Sequence, residues 1–196
     1  EDYFSNDTAP AIAMDTTLIE LITPRLSDSN KVEKKGLGRW LLSGKQKVQT
    51  INLNKFFTER PFQVSFTPWL GTHGKLSGQV VNKFSLNVLG GYTAGTNGVE
   101  IGGLFNIDKK AVQYVQVAGL FNSVGGKVNG VQIAGINNLV QDTVKGIQVA
   151  GVNNLVKGNT RGVQIGGVYN HVTDSMHGIQ IGGVANFNHK KTTGLQ

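Results

Sequence analysis

From residue 98 onward the hydrophobic positions of the chain recur every sixteen residues. The units open at Gly98, Tyr114, Gly130, Gly146, Gly162, Gly178 and Gly194, with no insertion between them. Such regularity marks a repeat architecture, in which a unit buries its face only against its neighbours. The second position is Val99, Val115, Val131, Ile147, Val163, Ile179 and Leu195; the fourth is Ile101, Val117, Ile133, Val149, Ile165 and Ile181. Aliphatic, mostly β-branched residues at alternate positions predict a strand with these two columns inward. The third position is Glu100, then Gln116, Gln132, Gln148, Gln164 and Gln180. It has the opposite parity and is expected to point outward. A small residue and a glycine follow (Ala134-Gly135, Gly166-Gly167), which suits a corner that resets the alternation. Beyond it, positions seven (Leu104, Leu120, Ile136, Val152, Val168, Val184), nine and eleven (Val124, Val140, Val156, Val172) are expected to face inward.

The ninth position is asparagine six times: Asn106, Asn122, Asn138, Asn154, Asn170 and Asn186. A single buried amide is costly. A stacked column of them is not, because each side chain bonds the one a coil away. This pattern predicts an all-β fold, a β-solenoid of sixteen-residue coils with a structural asparagine ladder. Coils about 4.8 Å apart give a rod roughly 30 Å long over seven registers. The alternative is an antiparallel outer-membrane β-barrel with one strand per unit. Two features weigh against it. Up-and-down strands favour a 32-residue super-period, which the sequence lacks, and Asn137, Asn153 and Tyr169 would then face lipid.

The rest of the chain divides by the same signals. Residues 1–46 read as a tail and charged linker, partly helical at "DTTLIELI", with Asp15 or Thr16 as cap and Pro24 as stop. Residues 47–97 carry strand patterns and most of the aromatics, and are expected to cap the first coil. The repeats fill 98–196 and break off three residues into a unit, so they are expected to continue beyond it.

Composition narrows the chemistry. Glycine is 27 of 196 residues, roughly twice the usual share, without a collagen triplet. Cysteine is absent, which removes disulfides and thiolate chemistry. His171, Asp174, Ser175 and His177 fall in one variable turn that no other unit repeats, so no triad or metal site is assigned. "VGGKVNG" fails the phosphate-loop spacing. The acidic residues of the repeats lie in different coil contexts, which disfavours a glycan-cleaving carboxylate pair. The reading is therefore non-enzymatic, with no catalytic residue, cofactor or metal. The net charge is +7, and residues 61–196 hold ten basic against four acidic residues. Two surface features follow. The glutamines Gln116, Gln132, Gln148, Gln164 and Gln180 form a candidate binding face. Lys109, Lys110, Lys127, Lys145, Lys157, Arg161, Lys190 and Lys191 form a candidate basic edge. Its expected partners are an anionic glycan, lipid head groups or an envelope protein complex. Nucleic acid is disfavoured, because no aromatic platform alternates with the cations.

The pattern G-V-Q-[IV]-[AG]-G-[VIL]-x-N, preceded by "FQVSFTPWLGTHG" and "NKFSLNVLGGYTAGTNGVEIGGLFN", resembles the envelope surface-repeat proteins of Bacteroidota and leptospires. The resemblance covers about residues 47–196. It implies an exported protein of the outer membrane, cell surface or periplasm, and carries over no catalytic residue. In similar proteins barrel-like sequence follows the repeats. The resemblance thus leaves room for membrane association and for a channel or outer-membrane complex. The leading expectation is an envelope scaffold that presents a repetitive β surface to a glycan or protein.

Overall fold

The computed structural model describes Leu41 and residues 57–196. The expected helix at "DTTLIELI" and the rest of the 1–46 tail lie outside the described residues. The strands are β1 (Thr58–Thr67), β2 (Leu70–Gly71), β3 (Val80–Asn87), β4 (Gly90–Thr93), β5 (Gly95–Gly102) and β6 (Phe105–Asp108). They continue as β7 (Val112–Ala118), β8 (Phe121–Val124), β9 (Val128–Ala134), β10 (Asn137–Val140), β11 (Val144–Ala150) and β12 (Asn153–Val156). The last are β13 (Thr160–Gly166), β14 (Tyr169–Val172), β15 (Met176–Gly182), β16 (Ala185–Asn188) and β17 (Thr192–Leu195). A 3-10 turn, Gly74–Gln79, precedes β3.

From β3 on, each coil contributes a long strand to one sheet and a short strand to a second. The larger sheet runs β17-β15-β13-β11-β9-β7-β5-β3-β1-β2, the smaller β16-β14-β12-β10-β8-β6-β4. All pairings are parallel except β1 with β2. Residues sixteen apart stand side by side: Gln132 beside Gln148 beside Gln164, and Asn138 beside Asn154 beside Asn170. This is a parallel β-solenoid of sixteen-residue coils, and the parallel register replaces the antiparallel-barrel alternative. Strands β1 and β3 stand at the N-terminal end of the stack. They continue the larger sheet in register, with Phe62 beside Phe84 and Phe84 beside Val99, and only β2 folds back antiparallel.

The direction of the side chains departs from expectation. The glutamine column is inside: Gln116, Gln132, Gln148, Gln164 and Gln180 are fully buried. Positions two, four and seven, expected inside, are outside. Ile133, Ile147 and Ile165 are 39%, 41% and 38% exposed, and Leu104, Leu120, Ile136, Val152, Val168 and Val184 also face solvent. The small residues at position five (Ala118, Ala134, Ala150) share parity with the glutamines and are buried. Position fifteen (Val112, Val128, Val144) is buried too, and meets position eleven (Val124, Val140, Val156, Val172) in one apolar cluster. A glycine at position one, such as Gly146 at φ +134°, lies between positions fifteen and three, which are four residues apart and therefore face the same way.

Each coil interior thus has two halves. One is apolar, formed by valines from both sheets. The other is polar, with glutamine from the larger sheet and asparagine from the smaller. Hydrogen bonding makes the polar half tolerable. Gln132 Nε2 donates to Gln116 Oε1 at 2.8 Å, Gln148 to Gln132 at 2.7 Å and Gln164 to Gln148 at 2.7 Å. The asparagine ladder runs the other way. Asn122 Nδ2 donates to Asn138 Oδ1 at 2.9 Å, and Asn138 to Asn154 at 2.9 Å. The amides of Asn106, Asn122, Asn138, Asn154 and Asn170 also reach a main-chain carbonyl of the next coil, as Asn138 Nδ2 does to Val149 O at 2.8 Å. The two amide columns point their dipoles in opposite directions along the rod.

Candidate functional site

The outward face of the larger sheet is the dominant feature of the surface. Position two forms a column of Phe62, Phe84, Val99, Val115, Val131, Ile147, Val163, Ile179 and Leu195. Position four forms a second, from Val64 and Leu86 through Ile133 and Ile165 to Ile181. No polar side chain interrupts either. The position-seven column borders them at the corner. Nine rungs at strand spacing, with five residues between the outer columns, give a footprint of roughly 38 Å by 16 Å. An apolar patch of that size stands at the upper limit for a soluble monomer, and patches of this kind mark interaction surfaces. At the first rungs the face is aromatic: Phe62, Phe66 and Trp69 are 57%, 50% and 54% exposed.

The smaller sheet does not match it. Its outward positions mix Phe105, Phe121, Asn137, Asn153, Tyr169 and His171, of which Phe105 and Asn153 are buried. Phe105 stacks on Phe121 with centroids 5.2 Å apart, and Leu41 packs against the cluster of Tyr92, Phe105 and Ile107.

Of the sequence-derived candidates, the glutamines are removed from the surface by burial. The basic residues do not form one stripe. Lys109 is buried, and the Lys110 ammonium lies over the Phe57 ring, 3.0 Å from its centroid. Lys190 pairs with Asp174 at 2.9 Å. Lys127 and Lys191 occupy position fourteen, and Lys157 position twelve. Only Lys145 and Arg161 are adjacent rungs of one column, followed by His177. That column, position sixteen, belongs to the larger sheet and directly borders the aliphatic columns. The asparagines Asn106, Asn122, Asn138, Asn154, Asn170 and Asn186 form the interior ladder described above.

One interior rung carries charge. Glu100 stands where later coils have glutamine, and Asp108 where the next four have valine, and both are fully buried. The ladder explains Glu100. Every glutamine donates toward the N-terminal end, so the first one, Gln116, needs an acceptor that need not donate onward. Gln116 Nε2 donates to Glu100 Oε2 at 2.8 Å and also to Asp108. Thr93 Oγ1 donates to Asp108 at 2.9 Å and Asn87 Nδ2 to Glu100 at 3.0 Å. Burial raises the pKa of both carboxyls. Asp108 is raised further by the neighbouring charge and hydrogen bond of Glu100. Because these folded-state values lie above the ordinary ones, the fold binds more protons than the unfolded chain. Its stability falls as pH rises from the ordinary carboxylate range through the raised values. Asp108→Asn is expected to flatten that dependence, measured as urea midpoint against pH.

Elsewhere the chemistry is sparse. His171 and His189 stack edge-on at 4.8 Å, and burial followed by the nearby His189 lowers the His171 pKa. Asp174 is engaged by Lys190 at 2.9 Å and lies 3.5 Å from Ser175 Oγ. Among the described residues no three potential ligands converge on a metal site. Near β1, a mainly apolar recess is lined by Thr58, Arg60, Thr72, His73, Leu76, Gln79 and Val80. His73 Nδ1 lies 3.2 Å from Gln63 Oε1, and burial and the Arg60 charge lower its pKa.

Comparison with protein-family models, with curated proteins and with solved structures returned no match. The class is therefore defined by the fold alone: a parallel β-solenoid with amide ladders inside and an aliphatic sheet face outside.

Proposed function

We propose that this protein is a non-enzymatic scaffold of the cell envelope that binds through the outward face of its larger sheet. The observation that carries this reading is the unbroken run of outward-facing apolar columns at positions two and four, whose members are half-buried or exposed. Exposed apolar surface of this extent is costly in water and is relieved by association. The repeat makes the surface uniform, so successive rungs offer equivalent contacts that act together. The larger sheet replaces the glutamine column as the binding face, since buried amides contact no partner. Placement at the envelope rests on the resemblance of the repeat.

The test uses an outward triple variant, Ile133→Asp, Val149→Asp and Ile165→Asp. The native chain is expected to associate with itself or with an apolar surface, and the variant to lose that association with its circular dichroism unchanged. A native chain that stays monomeric and binds no apolar surface would contradict the reading. Val149→Thr alone is expected to change stability by less than about 0.5 kcal/mol, because the site is a half-exposed surface position. Urea denaturation checks it.

A further inference from the structure

The partner of the aliphatic face can be narrowed by what surrounds it, taking the surface reading above as given. Four observations bear on it. The column next to the aliphatic ones on the same sheet face holds Lys145, Arg161 and His177, with polar Asn97, Gln113 and Asn129 on earlier rungs and no carboxylate. Residues 57–196 hold eleven Lys and Arg against five Asp and Glu; two of the acids, Glu100 and Asp108, and one of the cations, Lys109, are buried. A third acid, Asp174, is already paired with Lys190. The outer surface is therefore more basic than the sequence total suggests. Finally, the first rungs end the face in Phe62, Phe66, Trp69 and Leu70, all at least half exposed.

A flat aliphatic strip with a cationic border and an aromatic end matches the boundary of a lipid bilayer. Aliphatic side chains enter the acyl region, tryptophan favours the head-group level, and cations meet anionic head groups. A second copy fits less well. In a face-to-face pair, the basic column of one copy meets either the basic column or the aliphatic corner column of the other. Neither arrangement supplies a carboxylate, so the cations lose water and gain no partner.

We propose that the larger sheet docks flat on an anionic lipid bilayer, with the rod axis parallel to the membrane plane. The aliphatic columns supply the burial, and Lys145 and Arg161 supply the preference for anionic head groups. The interior stays polar and packed, so the protein lies on the membrane and does not span it.

The experiment is co-sedimentation of the full chain with two kinds of vesicle, phosphatidylcholine alone and phosphatidylcholine with phosphatidylglycerol. Analytical ultracentrifugation without lipid runs in parallel. Binding is expected on the anionic vesicles and to weaken with added salt. The double charge reversal Lys145→Glu, Arg161→Glu is expected to reduce that binding on the order of tenfold or more. The triple aspartate variant is expected to abolish it, with circular dichroism reporting intact β structure in both. In a Trp40→Phe background, Trp69 emission is expected to shift to the blue on binding. Equal binding to both vesicle types, or no effect of the charge reversal, would overturn the anionic-lipid assignment. Self-association through the same aliphatic residues, with no vesicle binding, would overturn it too while leaving the surface reading intact. Neither lipid binding nor self-association would overturn both.

Discussion

Gly146→Ala is expected to cost several kcal/mol of stability and to disrupt the stack at its middle. The reason is geometric. Each coil approaches the next so closely at this column that a Cβ on Gly146 would lie 1.9 Å from the Gly130 carbonyl oxygen. The obstacle is main chain, so no side-chain rotation relieves it. The residue also sits at φ +134°, a region that L side chains rarely adopt. Backbone strain of this kind costs about 1–3 kcal/mol by itself, before any separation of the coils. In a repeat fold the damage passes to the interface between neighbours, because each coil is held only by those beside it. Tyr114 occupies the same column at φ 75° and extends into solvent, so the coil that opens at Tyr114 adopts a different local backbone there. Urea denaturation followed by circular dichroism checks the prediction, with Lys157→Ala as the surface control. A Gly146→Ala chain within about 1 kcal/mol of the native one would mean that the coils are not stacked at this distance.

Gln148→Leu is the second large effect, and it reverses the usual rule for polar-to-apolar change. Leucine has nearly the same volume and is more hydrophobic, so on an exposed position it would be close to neutral. Gln148 is fully buried and joins two ladder bonds, donating to Gln132 Oε1 and accepting from Gln164 Nε2, each at 2.7 Å. Leucine would leave an acceptor on one side and a donor on the other, both buried. An unsatisfied buried polar group costs about 1–3 kcal/mol, so the pair is expected to cost about 2–6 kcal/mol. Gln148→Glu is expected to be worse at neutral pH, because it places a charge in the interior without the threonine and asparagine donors that surround Glu100 and Asp108. Thermal melts of the two variants against Val149→Thr would rank them, and a native-like Gln148→Leu would contradict the ladder.

The period and the coil length were legible in the sequence, because an invariant sixteen-residue spacing leaves few folds that bury every unit. The asparagine ladder was legible as well. An asparagine at the same position six times is hard to explain on a free surface and easy to explain in a stack. The direction of the other columns was misread for an identifiable reason. Positions two and four are aliphatic and alternate, and the rule that apolar residues go inside placed them there. That rule runs one way only, since much folded surface is apolar. The sequence held the opposing signal in its side-chain sizes. Position five is always alanine or glycine and shares parity with the glutamines, which suits a narrow interior. Position three is glutamine from Gln116 onward, while position two varies among valine, isoleucine and leucine. Packed, hydrogen-bonded positions tolerate little variation, whereas an outward aliphatic column accepts any residue of similar character. The pairing of Glu100 with Asp108 was not legible, because two residues eight apart become neighbours only when the coil folds across its own interior.

The absence of cysteine offers a direct test of which side chains face inward. Single cysteines are placed along one strand at Ile147, Gln148, Val149 and Ala150, and their reaction with a water-soluble thiol reagent is timed under native conditions. Circular dichroism verifies that each variant is folded. The account predicts fast labelling at Ile147→Cys and Val149→Cys. At Gln148→Cys and Ala150→Cys it predicts protection that denaturant removes. Fast labelling at Gln148→Cys and protection at Ile147→Cys in folded protein would contradict it, and would return the glutamines to the surface and the aliphatic columns to the core.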